Sequence, residues 1–252
     1  MMIRCSEKHR QECLDYLNSD PVMNLFLIGD IQQYGFDHGF QTVFVDKDEQ
    51  VHAVYLVYYD GLLISAARGR VDAAFVEKLV DEYDIRVIQG RQEVIDELPS
   101  ISWRRQQCVF SRMGEFHPLP QGDFEIRRAQ PQDAPAIAQL LQEVFGRPQA
   151  VQPLRRQIET GAGRHLLIEQ NGILYCQANS TAETPQAAMI AGVATRADHR
   201  RQGMAKAVVS RLCQQLLDEG KTPCLFTDSE EAAALYRRLG FVPAGSWVML
   251  LK

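Results

Sequence analysis

The 252-residue chain is 46% hydrophobic and 23% charged with a formal net charge of −5, enough apolar material for one large buried core or two ordinary ones and too little charge for a disordered chain. Its apolar runs, such as residues 54–59, stop far short of the ~20 residues a membrane span needs, and residues 1–7 contain no apolar leader core. A cytoplasmic protein with no membrane or nucleic-acid partner is therefore the expectation. Six scattered cysteines without Cys-x-x-Cys spacing speak against a structural metal and against a disulfide framework, so no metal is expected. The charge is unevenly spread: residues 1–117 carry 12 Lys+Arg against 19 Asp+Glu, and residues 118–252 carry 15 against 13. The cations of the second half suit an anionic ligand.

In chain order, residues 2–5 read as a strand and 7–17 as a helix, followed by a hairpin of 42–45 with 51–58 around the charged turn 46–49. Residues 85–88 read as a strand, 91–98 as a helix and 105–113 as an alternating strand. The segment 118–123, with two prolines and a glycine, reads as a linker between domains 1–117 and 124–252. Beyond it come a strand at 124–128, a helix at 131–145 closed by Gly146, a second helix at 151–159, and a hairpin of 165–169 with 173–178 around Asn171-Gly172. A strand at 189–195, a helix at 204–218, a strand at 224–227, a helix at 230–239 and a strand at 246–251 complete the α/β pattern. The two halves begin and end alike, which suggests an internal duplication. Two unrelated α/β halves would show the same alternation, so both readings stand.

The most informative stretch is residues 190–206, an apolar strand that runs through a polar turn directly into an amphipathic helix. Such a helix start offers unpaired backbone N–H groups and the positive end of its dipole. Gly203 removes a side chain where a phosphate must approach the backbone, and Arg200, Arg201 and Lys206 add positive charge. Neither the Walker pattern nor Gly-x-Gly-x-x-Gly is present, which lowers the nucleotide and dinucleotide readings.

Arg200-Arg201-Gln202-Gly203-Met204-Ala205 resembles the pyrophosphate loop of the GNAT acetyltransferase superfamily, Arg/Gln-x-x-Gly-x-Gly/Ala, at all three defined positions. Ser229-Glu230-Glu231-Ala232-Ala233-Ala234-Leu235-Tyr236-Arg237-Arg238-Leu239-Gly240-Phe241 resembles its later segment, Asn-x-x-Ala-x-x-x-Tyr-x-x-x-Gly-Phe, except that Ser229 stands at the first position. The two motifs fall in the family's order and spacing. The resemblance covers residues 124–252; in residues 1–117, Arg68-Gly69-Arg70-Val71 only partly imitates the loop.

The resemblance implies a GNAT-like mixed sheet flanked by helices, preceded by a smaller α/β domain that is a candidate degenerate copy. It implies acetyl-CoA as the acetyl donor and a small-molecule or protein amine as acceptor. Main-chain groups of Val193 to Thr195, with Ala194 between them, would hold the pantetheine arm, and the loop from Arg200 to Lys206 the pyrophosphate. Ser229 and Ala232 would line the coenzyme, and Tyr236 would protonate the leaving thiolate. A base is useful because an alkyl amine with a pKa of ~10.4 is neutral in only about one molecule per thousand at pH 7. The strand before the loop carries no carboxylate, and Glu183 is the nearest candidate. Beside active transfer stands a second reading, a coenzyme A-binding sensor without efficient transfer. His199 reads as a solvated loop residue, and Tyr55, Tyr58, Tyr59, Trp103 and Trp247 read as packing.

Overall fold

In a computed structural model of the chain, which describes residues 1–36, 38–98, 101–227 and 229–252, the first half contains β1 (Met2–Arg4), α1 (Arg10–Leu17), α2 (Leu25–Tyr34), β2 (Gln41–Lys47), β3 (Val51–Tyr58), β4 (Gly61–Ala66), α3 (Ala73–Glu82), β5 (Val87–Arg91), α4 (Gln92–Ile95) and β6 (Arg104–Met113). The second contains β7 (Ile126–Arg128), α5 (Ala134–Phe145), α6 (Val151–Thr160), β8 (His165–Gln170), β9 (Ile173–Thr181), β10 (Ala187–Thr195), α7 (Met204–Asp218), β11 (Thr222–Thr227), α8 (Glu230–Leu239) and β12 (Phe241–Leu251). One order, strand, two helices, three strands, helix, strand, helix, strand, thus occurs twice, as a duplicated unit requires. The sequence reading had not assigned α2, β4 or α3.

The chain divides into two compact units that differ from its linear halves: residues 1–110 with 243–252, and residues 111–242. The reason lies in strand pairing. β12 runs antiparallel to β5, from Trp247 opposite Arg91 to Leu251 opposite Val87, and its Val248 and Leu250 are buried in the first unit's core with Tyr55, Ile64, Leu79 and Ile88. Met113, at the end of β6, is buried in the core of the second unit. The 118–123 segment is tied down as well: the Leu119 N–H donates to Ser210 Oγ at 3.1 Å, and the Leu119 side chain packs on the second unit's core.

In the first unit, β1 to β4 form antiparallel neighbours and β4 lies parallel to β5. The other face of this sheet is covered by α1 and α2 through Leu17, Leu27, Ile28 and Ile31.

In the second unit, β7 to β10 pair antiparallel and β10 runs parallel to β11. The β8–β9 turn has Asn171 at φ 54 and Gly172 at φ 76, the left-handed pair that a two-residue hairpin turn needs. α7 and α8 pack on one face through Val208, Leu212, Leu216 and Leu239 against Ile168, Ala178 and Ile190. α5 packs on the other through Ile137, Leu140 and Leu141 against Leu167 and Leu174. Burying one side chain of this size contributes about 2 kcal/mol, so packing on both faces holds β10, paired between β9 and β11. All six cysteines are buried, packing as small apolar side chains. No helix among the described residues is long and apolar enough to cross a membrane.

Candidate functional site

The site begins where β10 leaves its neighbour. The pairing of β10 with β11 ends at Ile190 opposite Leu225, while β10 continues to Thr195. Against β9 the register slips between Ala191 and Ala194, a bulge centred on Gly192 at φ 57. Such a bulge turns local backbone groups out of the ladder.

The chain then passes through a short turn, with Arg201 at φ 63, to Gly203 at φ 90, the residue that caps α7. A Cβ at Gly203 would meet nothing closer than the Lys206 side chain at 3.7 Å, so the backbone conformation rather than crowding demands glycine. The first helical bond of α7 runs from the Ala207 N–H to the Gly203 carbonyl at 3.0 Å. The N–H groups of Met204, Ala205 and Lys206 therefore face outward from the helix start, where an anion finds both donors and dipole.

This helix start opens on a cavity of about 590 Å³ within the second unit. Among the residues singled out by sequence, Val193, Thr195, Arg200, Arg201, Gly203, Met204, Ala205, Lys206, Ser229, Ala232 and Tyr236 line it. Ala194 and Gln202 do not: Ala194 packs on the α5 face, and Gln202 is exposed. The opposite wall is α8, whose start is fixed by Ser229 accepting from the Ala232 N–H at 3.3 Å. Sequence reasoning missed Glu231, Leu235 and Arg238, which line the same wall; their spacing along α8 marks one helix face and could have revealed them. It also read His199 as merely solvated, whereas His199 lines the cavity. The His199 ring lies 4.1 Å from that of Tyr175, and its Nδ1 is 2.8 Å from Asp198 Oδ1, a proximity that holds the Asp198 carboxyl below its ordinary range.

Tyr236 is 8% exposed. Its ring packs in the core 5.8 Å from Phe241, while the residue borders the cavity. The one residue thus belongs both to the core and to the cavity wall.

Glu183 is not brought to the cavity. It lies in the turn before β10, whereas the anion loop follows the other end of that strand. Arg164 donates to its carboxylate at 2.8 and 2.6 Å, Lys221 at 2.7 Å, and Ser180 donates as well. Burial alone would raise its pKa, but these donors prevail and lower it. A group lowered in the folded state adds stability above its unfolded pKa and loses it as pH falls through the folded one. Glu183→Gln is therefore expected to cost about 2 kcal/mol at neutral pH, less in acid, by leaving Arg164 and Lys221 short of a partner. Denaturant titrations at two pH values check this, and ligand binding at the cavity should be unchanged.

The corresponding loop of the first unit, between β4 and α3, is already filled. Glu97 accepts from the Gly69 N–H at 2.7 Å and the Val71 N–H at 3.1 Å. Asp72 caps α3 by accepting from Phe75 at 2.9 Å. Two carboxylates thus already take N–H groups of this loop and of the α3 start, and their negative charge opposes an anion there.

Residues 156–250 match the GNAT acetyltransferase family model. No curated protein matches the chain. Among solved structures, a Drosophila protein is similar at 12% identity and a TM-score of 0.74, over 99% of this chain and 98% of that one. A GCN5-related N-acetyltransferase from Sphaerobacter thermophilus is similar at 17% identity and a TM-score of 0.66, over 100% and 95%. A tandem GNAT protein from the clavulanic acid biosynthesis pathway is similar at 13% identity and a TM-score of 0.64, over 99% and 97%. At these identities the likeness is one of fold.

Proposed function

We propose that the chain, whose residues 156–250 match the GNAT acetyltransferase family model, transfers an acetyl group from acetyl-CoA to a primary amine of a small molecule or protein, in a single direct step. One observation carries this reading: a glycine-capped helix start among Arg200, Arg201 and Lys206 shares one cavity with Tyr236. The cavity fits the donor. Its open floor at Gly203 accepts a pyrophosphate on the α7 N–H groups, and the β10 backbone at Val193 and Thr195 accepts the amide-bearing arm as an added strand would.

The residues then divide the work. The loop cations and helix start bind the phosphates. Backbone donors near the bulge polarise the thioester oxygen, and Tyr236 gives its proton to the departing thiolate. Glu183 being held elsewhere, the amine's own proton passes to water, or the amine arrives neutral. Against this stands the second reading, coenzyme A retention without efficient transfer. Amine-dependent release of free thiol from acetyl-CoA distinguishes the two.

The loop filled by Glu97 and Asp72 implies that the first unit takes no donor of its own. Calorimetric titration with coenzyme A should give one site per chain. Two sites would contradict the division of roles between the units.

A further inference from the structure

Beneath the bulge of β10 lies a chain of buried, hydrogen-bonded polar side chains. Gln177 and His165 are 0% and 2% exposed. Gln177 Nε2 donates to the Gly192 carbonyl and, at 3.3 Å, to Asn179 Oδ1. Its Oε1 lies 3.1 Å from His165 Nδ1. These partners fix both groups. Two acceptors claim the amide's N–H bonds, so its oxygen must face the histidine, and His165 must carry its proton on Nδ1. Burial lowers the His165 pKa against the opposing pull of Gln177, which suits the neutral ring this arrangement needs. His165 Nε2 has no partner among the described residues.

The position is specific to glycine. A Cβ on Gly192 would run into Asn179 Oδ1 and come within 2.6 Å of Gln177 Nε2. The side-chain amide thus takes the place of a ladder bond that the bulge has removed. No cis peptide occurs among the described residues, and a trans peptide sends its N–H opposite to its carbonyl. With the Gly192 carbonyl held by Gln177, the Val193 N–H is directed away from that cluster. Val193 itself lines the cavity, on a stretch of β10 beyond its pairing with β11.

We propose that Gln177, oriented by His165, is a positioning residue that aims the Val193 N–H at the thioester oxygen of the bound acetyl donor. The inference rests on the acetyl-CoA reading above and adds to it a named device for polarising the carbonyl. Neither side chain touches the donor; both act through the Gly192 peptide.

Infrared difference spectra of bound acetyl-CoA, isotope-labelled at the thioester carbonyl, test this without knowledge of the acceptor. In the wild type the carbonyl band should lie below its position in buffer. In Gln177→Met, which keeps the length but loses both donors, it should return toward the buffer position. Calorimetric affinity for coenzyme A itself should hold within about threefold, because the phosphate loop is untouched, and kcat should fall about 100-fold with little change in KM. His165→Phe should shift the band the same way by less, and it decides the matter if Gln177→Met does not fold. A folded variant of either kind that binds acetyl-CoA with the wild-type band overturns the proposal. A wild type that binds acetyl-CoA with an unshifted band overturns it too, while leaving the donor assignment standing. Failure of the wild type to bind coenzyme A at all overturns both.

Discussion

Tyr236→Phe should turn over about 100- to 10,000-fold more slowly than the wild type, the usual contribution of a positioned general acid. The substitution keeps the ring, its 5.8 Å contact with Phe241 and its place in the core, and removes only the hydroxyl. Losing a buried hydroxyl costs about 1 kcal/mol of stability, too little to unfold a domain with two packed sheet faces. Coenzyme A affinity should change little, because the phosphate loop lies at the start of α7 and Tyr236 lies on α8. A purely structural tyrosine would give the opposite pattern, with lower stability and unchanged turnover. Rate and thermal stability measured in the same variant, where chemistry limits the rate, separate the two roles.

Gly203→Glu should weaken coenzyme A binding by about 100-fold or more, since it places a carboxylate among the donors that would hold the pyrophosphate. Two effects are superimposed. At φ 90 any side chain strains the backbone by about 1–2 kcal/mol, and the charge occupies the anion site. Gly203→Ala isolates the first effect and should lose far less affinity. The space is there: the nearest atoms to a new Cβ belong to the flexible Lys206 chain, so the variant should fold. Unchanged affinity in folded Gly203→Glu would remove the loop from the binding site.

What the sequence made legible follows from where it is punctuated. α7 and α8 were placed to the residue because Gly203, Ser229 and Gly240 mark their ends chemically, and Asn171-Gly172 marked the hairpin. α2 escaped because it opens on the continuous apolar run of residues 25–28 and its exposed Gln32 and Gln33 come only in the last turns, too short a stretch to display a 3.6-residue period. β4 escaped for a related reason: Leu62, Leu63 and Ile64 are buried on both faces of the sheet, and a continuous apolar run carries no alternation. The alternation of β12 was visible, but alternation does not name a partner, and its pairing with β5 draws the last ten residues into the first unit.

The site divides the same way. The turn at Gly203 and Tyr236, which line one cavity, belong to local patterns that a single stretch of sequence displays. The occupation of the Gly69 loop by Glu97 joins residues 28 apart, and the Gln177 cluster exists only because β10 bulges against β9. Glu183 shows the converse. Its place in the chain suggested a base, but the cations around it, Lys221 and Arg164, are brought from the segments just before β11 and β8, which no local pattern foretells.

The claim of acetyl transfer is tested most directly by following free thiol released from acetyl-CoA across a panel of primary amines, with the product identified by mass spectrometry. The account predicts that at least one amine accelerates release above the rate in buffer, and that this amine is recovered N-acetylated in step with the thiol. Tight coenzyme A binding with no amine-dependent release and no acetylated product would contradict it.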